Sequence, residues 1–333
     1  MRTSPDEEDI PTIDIAPFLT GEEDRKHDVA RAVAKVCEVT GFLIVSGHGI
    51  QQSIIDDAFA ASRGFFDLDQ AKKDQWHPTG PARQRGYHAL ATRGLANTLD
   101  QSIPPDLRET VFLGPLRDHG THFASIPEAA TAYAPNIYPD TPAAFSKALR
   151  SIYRAYERLS LDLLRIFAVA LNIPEDAFTS KMGRNFSILS SHHYPPLSAP
   201  PSPGQLRTGA HTDFGVFTIL AMTDAVGGLE ARLPDGRWTP VRPRPGTLVV
   251  NLGDMMARWT NDRWTSTLHR VANPTALGAW ESRRQSIGFF AHPDFDARIE
   301  CVPTCLKPDQ VPLYPPVTAG EHIALKIAKS HTA

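Results

Sequence analysis

The chain has 333 residues, more than an average single domain, and its formal net charge of -3 gives no electrostatic reason to expect nucleic acid or an anionic membrane as partner. No run of about 18 apolar residues is present to span a bilayer, and the start, MRTSPDEEDI, lacks the basic and apolar runs of a signal peptide. Three cysteines, Cys37, Cys301 and Cys305, cannot make a disulfide framework and have no neighbouring Cys or His pair to complete a zinc site, so the reducing cytoplasm is the expected setting.

After an extended IPTIDI from Ile10, the stretch from Asp24 to Val39 puts Val29, Val33, Val36 and Cys37 at helical spacing, with Gly41 as its stop. FLIV, from Phe42, reads as a short buried strand. A second helix is expected after Ser53, a good N-cap residue, with Ile54, Ala58, Ala61 and Phe65 on one side. Between Pro78 and Pro105 the chain is rich in Gly, Pro, Arg and Thr without a steady period, which predicts a loop able to act as a lid. The clearest helix is expected over 141–172, where Phe145, Leu149, Ile152, Tyr156, Leu159, Leu163, Ile166 and Ala170 follow steps of three and four. Pro142 suits its first turn. At about 1.5 Å per residue it would be roughly 45 Å long. Such a stripe either braces a sheet or forms a coiled-coil seam between chains, and packing under a sheet is the expectation.

From Phe186 the pattern changes to short strands divided by Gly and Pro: FSILSSHHY, TGAHTDF, VFTILAM, LEARLP, RWTPV, TLVVNLG, STLHRVAN and RQSIGFFA. Many short strands of antiparallel style make a sandwich or jelly roll. The fold expected is therefore mainly β with α.

Within these strands HTDF places His211 and Asp213 two positions apart, so their side chains leave the same face of an extended chain. His269, in STLHRV, sits in a second alternating stretch that can pair beside the first. Two imidazoles and one carboxylate on one face of a metal, with positions left open, is the arrangement of non-heme Fe(II) and dioxygen chemistry. In RRQSIGFFAHP, Arg284 and Ser286 again share a face while Arg283 points the other way. A guanidinium fork with a hydroxyl beside it suits a carboxylate, and a dicarboxylate co-substrate fits that clamp.

With these residues the chain resembles the 2-oxoglutarate- and Fe(II)-dependent dioxygenases, in the branch similar to isopenicillin N synthase and the plant flavonoid oxygenases. IPTIDIAPFLTG from Ile10, GFLIVSGHGI from Gly41, RGYHAL from Arg85, HHYPP from His192 and NLGDMMARWTNDRWTSTLHRVANP from Asn251 are similar to that branch's recurring segments, in the same order. The resemblance implies a double-stranded β-helix (jelly-roll) core at 183–295, flanked by helices, and an N-terminal mixed α/β region at 9–125, the two forming one compact unit. It implies Fe(II) held by His211, Asp213 and His269, 2-oxoglutarate as co-substrate held by Arg284, Ser286 and Tyr194, and dioxygen as oxidant. The implied reaction hydroxylates a C–H bond of a small molecule, a secondary metabolite by expectation, and releases succinate and carbon dioxide.

The carboxylate of Asp213 argues against halogenation, because related halogenases leave that position to chloride. An oxidase of the isopenicillin N synthase type, working without 2-oxoglutarate by cyclisation or desaturation, stays open as an alternative, since Arg284 with Ser286 is shared by both modes. A zinc hydrolase using the same three ligands, or a non-catalytic binding protein, are remoter readings. Around the substrate the expectation is Ser190, His192, Phe290, Arg85 and Tyr87, with the region from Arg85 to Leu113 folded over it. Relatives often carry Asn two positions before the Tyr and a large polar residue near Ser190. His192 and Ser190 depart from that pattern, so no relative's substrate carries over. A monomer is expected, with a small molecule as its partner and neither nucleic acid nor membrane.

Overall fold

In the computed structural model, which describes residues 10–21, 23–80, 84–94, 104–197, 199–274 and 282–331, helices dominate the first half of the chain and strands the second. The order is β1 (Thr12–Asp14), α1 (Ala16–Leu19), α2 (Glu23–Val39), β2 (Phe42–Ser46), α3 (Gln52–Phe66), α4 (Gln70–Lys73), β3 (Gly86–His88), β4 (Glu109–Leu113), α5 (Ala129–Ala132) and α6 (Ala143–Ala170). There follow β5 (Ile188–Tyr194), β6 (Thr208–His211), β7 (Phe217–Met222), β8 (Gly228–Arg232), β9 (Trp238–Pro240), β10 (Leu248–Leu252) and α7 (Asp254–Trp259). The chain ends with β11 (His269–Ala272), β12 (Arg284–Ala291), β13 (Arg298–Ile299), β14 (Val317–Thr318) and α8 (Ala319–His331).

Eight strands form one sheet in the order β1-β2-β10-β7-β12-β5-β4-β3, and β6-β11-β8-β9 form a second. Side chains alternate across a strand, and here the two faces of the large sheet have different partners. Leu43, Val45, Val250, Ile219, Ile287, Phe289, Leu189 and Val111 join the main core with α2, α3 and α6. Phe42, Ile44, Val249, Leu220 and Met222 point the other way and pack with Leu229, Ala231 and Val241 of the second sheet and its flank. Strands covered on both faces read as near-continuous apolar runs, which is why FLIV and TLVVNL show little alternation. The interior between the sheets carries the polar groups of interest, as the jelly-roll expectation requires.

The long helix α6 has 28 residues, about 42 Å at 1.5 Å per residue. Its apolar stripe is spent within the chain: Tyr153 and Tyr156 meet Phe289 edge-on at 5.2 and 6.2 Å, and Phe145 stacks on Phe65 of α3 at 4.4 Å. The seam therefore packs under the sheet. Gly41 ends the turn after α2 at φ 59°, and a Cβ there would lie 1.9 Å from the Thr265 carbonyl oxygen, so no other residue fits.

Two expectations need correction. Helix α3 begins at Gln52, so Ser53 lies inside its first turn, and the buried face runs through Ile55, Ala58, Ser62 and Phe65. The loop expected between Pro78 and Pro105 is interrupted by a strand, and the region from Arg85 to Leu113 is in part sheet. It contributes β3 and β4, paired antiparallel and extending the large sheet beyond β5. Strands of three and five residues are too short to impose a visible period. The parts of the expected lid at 81–83 and 95–103 lie outside the described residues.

Candidate metal centre and co-substrate pocket

His211 closes β6 and His269 opens β11, and the ladder places the two directly opposite each other. Their ring centroids are 4.3 Å apart. Each Nδ1 faces the carbonyl two residues earlier in its own strand, Gly209 at 2.8 Å and Thr267 at 3.0 Å. A carbonyl only accepts, so Nδ1 carries the proton and Nε2 keeps its lone pair. Asp213 lies just past the end of β6, in a turn braced by α7: its carbonyl accepts the Asp254 N–H at 2.8 Å. The expected continuous strand thus stops at His211, yet the carboxylate still reaches the same place.

Asp213 Oδ2 accepts from the Thr218 hydroxyl and from Asn251 Nδ2, the latter at 2.7 Å. That leaves Oδ1, which stands 3.7 Å from Nε2 of both His211 and His269. The three ligand atoms lie within 4.8 Å of one another and all three residues are buried. Burial, with the His269 imidazole beside it, holds His211 well below its usual pKa and hence neutral. Burial alone would raise the Asp213 carboxyl, but the adjoining imidazoles and the Thr218 and Asn251 hydrogen bonds bring it below its ordinary value. Two imidazole nitrogens and a carboxylate, each oriented by a partner behind it, fit a divalent transition metal.

Further along the interior, Arg284 pairs across β5 with Tyr194, and Ser286 with His192. The Arg284 guanidinium lies 4.8 Å from the Tyr194 ring centroid, with Nη1 3.4 Å from Ser286 Oγ and Nη2 3.3 Å from Met222 Sδ. Only 2% of the residue is exposed. Among the described residues it has no carboxylate partner, and a buried cation left so is suited to an anion. Tyr194 is aimed by Thr208, 3.4 Å from its hydroxyl. Arg283 turns to the opposite face, where it meets His193 and Asp67. Between clamp and triad, a Cβ on Gly288 would lie 3.3 Å from Ser190 Oγ, so the glycine leaves that floor open.

The inner face of β5 carries Ser190 and His192. His192 Nε2 is 2.8 Å from Ser190 Oγ and 3.4 Å from Arg108 Nη1, and its Nδ1 is 2.8 Å from Thr110 Oγ1. Arg108 can only donate, so Nε2 accepts and Nδ1–H donates to Thr110. Burial, followed by the Arg108 guanidinium, keeps this ring neutral. Phe290 is paired with Ile188 and Thr218 and shares their inward face, at the Asp213 end.

Arg85 and Tyr87 are corrections. Gly86 and His88 take the inward positions of β3, so Tyr87 faces the helices, hydrogen-bonded at 2.5 Å to Glu109. The Arg85 guanidinium is consumed by the carbonyls of Gln84, Ala132 and Ala134. Neither reaches the interior. The residues that sequence reasoning missed are Thr218, Asn251, Thr208, Thr110 and Arg108. Asn251 carried a signal, a lone amide within the buried run TLVVNL, whereas a Thr or Arg in a short strand carries none.

Two segments match known families: 10–141 the family described as non-haem dioxygenase in morphine synthesis N-terminal, and 185–293 the 2OG-Fe(II) oxygenase superfamily. The chain is 31% identical to the 2-oxoglutarate-Fe(II) type oxidoreductase hxnY of Emericella nidulans, over 94% of this chain and 88% of that one. It is 30% identical to the homoarginine-6-hydroxylase 2-ODD-233 of Oryza sativa subsp. japonica, over 96% of each. Among solved structures, a full-length Neurospora crassa protein in complex with alpha-KG and thymine superposes with a TM-score of 0.85 at 28% identity, covering 99% of both chains. The chain thus belongs to the 2OG-Fe(II) oxygenase superfamily, as an oxidoreductase whose cofactors are Fe(II) and 2-oxoglutarate.

Proposed function

We propose that this oxygenase hydroxylates a C–H bond of a small metabolite while 2-oxoglutarate and dioxygen become succinate and carbon dioxide, with one oxygen atom going to each organic product. His211, Asp213 and His269 hold the iron, which when bound supplies the activation of dioxygen. Arg284, Ser286 and Tyr194 would hold the far carboxylate of 2-oxoglutarate. Ser190, His192 and Phe290 line the space left for the substrate, and Gly288 keeps it clear. The names of the relatives, which act on homoarginine or are complexed with thymine, support a small polar molecule.

The observation that carries this reading is the buried Arg284, a guanidinium without an acid among the described residues, on the same inward face as the metal ligands. The pair Arg284 and Ser286 also occurs in the mode without 2-oxoglutarate, and the preference for 2-oxoglutarate is supported by the relatives, a 2-oxoglutarate-Fe(II) type oxidoreductase and a protein complexed with alpha-KG. The test is 2-oxoglutarate titrated into the anaerobic Fe(II) protein and followed by visible absorption. Arg284→Gln should weaken binding about 100-fold, the worth of a lost bidentate charge-assisted pair, with iron content retained. Succinate release should require oxygen. Unaltered 2-oxoglutarate binding in Arg284→Gln would remove the clamp from the proposal, and turnover in the absence of oxygen would favour a zinc hydrolase.

A further inference from the structure

We infer that Arg207 is a positioning residue for the co-substrate clamp: it ties together the three segments that surround Arg284 and so governs the affinity for 2-oxoglutarate. The inference rests on the reading of Arg284 as the clamp and adds the residue on which the clamp's geometry depends.

Arg207 immediately precedes β6, and only 2% of it is exposed. Its Nη1 donates to the Val226 carbonyl at 3.0 Å, and its Nη2 donates to the Ser282 carbonyl at 2.5 Å and to the Ser282 hydroxyl oxygen at 3.1 Å. These partners lie 19 and 75 residues further along the chain. One side chain thus joins the start of β6, the turn before β8 and the approach to β12. Carbonyls only accept, and the planar fork of Arg, with five N–H donors, can reach two of them at once. The single ammonium of a Lys could not hold both in the same geometry.

Each of the three segments brings a group to the clamp. Ser282 stands two residues before Arg284 itself. Two residues after Val226 comes Gly228, where a Cβ would lie 3.8 Å from Arg284 Nε, so the turn forms a wall beside the guanidinium. Thr208, next to Arg207, donates its hydroxyl to the Arg207 carbonyl at 2.9 Å and lies 3.4 Å from the hydroxyl of Tyr194, whose ring is 4.8 Å from the Arg284 guanidinium. The side-chain hydrogen bonds of Arg207 go to Val226 and Ser282, so its effect on a bound carboxylate passes through Arg284 and Tyr194. Burial, and then the Arg284 guanidinium, bring the Arg207 pKa down to about 10, which leaves it charged at neutral pH. Two buried cations that feel one another must be held in place by other groups, and the two carbonyls do this for Arg207.

The test titrates 2-oxoglutarate, and separately pyruvate, into the anaerobic Fe(II) complex of the full chain, with binding read from visible absorption. Pyruvate has the same 2-oxo acid end without the far carboxylate, so it reports on the iron end alone. Arg207→Gln should weaken 2-oxoglutarate about tenfold, a common size of coupling between neighbouring residues, while the affinities for pyruvate and for Fe(II) stay at the wild-type level. Arg207→Lys, which keeps the charge without the fork, should fall between the two. Because Arg207 acts through Arg284, the double variant Arg207→Gln with Arg284→Gln should bind 2-oxoglutarate no more weakly than Arg284→Gln alone. Wild-type 2-oxoglutarate affinity in Arg207→Gln, an equal loss for 2-oxoglutarate and pyruvate, or fully additive losses in the double variant would each overturn the inference. Should Arg207→Gln fail to fold, Arg207→Lys decides by the same comparison of the two oxo acids. If Arg284→Gln binds 2-oxoglutarate as the wild-type protein does, the clamp reading falls first, and this inference with it.

Discussion

At the scale of single residues, the metal centre depends on groups that never touch the metal. The Thr218 hydroxyl and Asn251 amide hold one oxygen of Asp213 and so aim the other. Backbone carbonyls at Gly209 and Thr267 do the same for the two imidazoles by fixing the tautomer. Outer partners of this kind are worth about 10- to 100-fold in metal affinity. Thr218→Val keeps the shape and removes the hydroxyl, so it should lower Fe(II) affinity by about tenfold while leaving the melting temperature of the metal-free protein nearly unchanged. Anaerobic titration with Fe(II) checks this, and wild-type affinity in the variant would show that Asn251 suffices to aim the carboxylate.

At the scale of elements, the large sheet is tied to its helical layer by a buried polar cluster on the outer face of β4 and β5. Glu109 receives Lys73 Nζ at 2.8 Å from α4, His193 Nδ1 at 2.7 Å from β5 and the Tyr87 hydroxyl at 2.5 Å from β3. Burial alone would raise its pKa, but these donors bring the carboxyl below its ordinary value. His193 is likewise lowered, chiefly by burial. Both folded values are depressed, so both contributions to stability are complete above the unfolded pKa and are lost as pH falls. For His193 the loss begins below about 6.5, and for Glu109 below about 4.3. Glu109→Gln leaves Lys73 short of its acid and should cost about 3 kcal/mol at neutral pH, and it should flatten the acid limb of stability below pH ~4. Urea unfolding at a series of pH values measures both. The same strands carry Ser190 and His192 on their inner faces, so this cluster also braces the strand that bears them.

At the scale of the whole molecule, the C-terminal helix closes on the metal loop. From α8, His322 Nε2 lies 3.1 Å from the Phe214 carbonyl, and Lys326 Nζ is 2.5 Å from Asp254, whose carboxylate also accepts the Thr212 hydroxyl at 3.2 Å. Thr212 and Phe214 flank Asp213 on both sides. Truncation after Thr318 should therefore lower iron retention by about tenfold and reduce the melting temperature even without metal. Iron content after gel filtration and thermal unfolding of the metal-free protein read these separately. Iron that stays bound in the truncated chain would reduce α8 to a stabilising cover. Because metal binds only the folded site, Fe(II) at about 100 times its dissociation constant should add roughly 2.7 kcal/mol of stability, and a chelator should remove it.

Much of this protein was legible before any coordinates. The three-and-four spacing of α6, the two-residue spacing of His211 and Asp213 and the opposed faces of Arg283 and Arg284 are local periodicities, and local geometry carries them wherever the element goes. What the sequence could not decide was which elements meet. Arg85 and Tyr87 were expected at the substrate because β3 is too short to declare its register, and a shift of one residue exchanges the faces of a strand. Arg108 and Thr110 reach His192 only because β4 lies beside β5, and Thr218 and Asn251 reach Asp213 only because β7 and β10 lie side by side. The sequence by itself determined the kinds of element and the chemistry of the donor set, since periodicity and side-chain chemistry are properties of neighbouring residues. The tertiary structure alone decided which partners aim that donor set, because hydrogen bonds depend on distances between segments far apart along the chain.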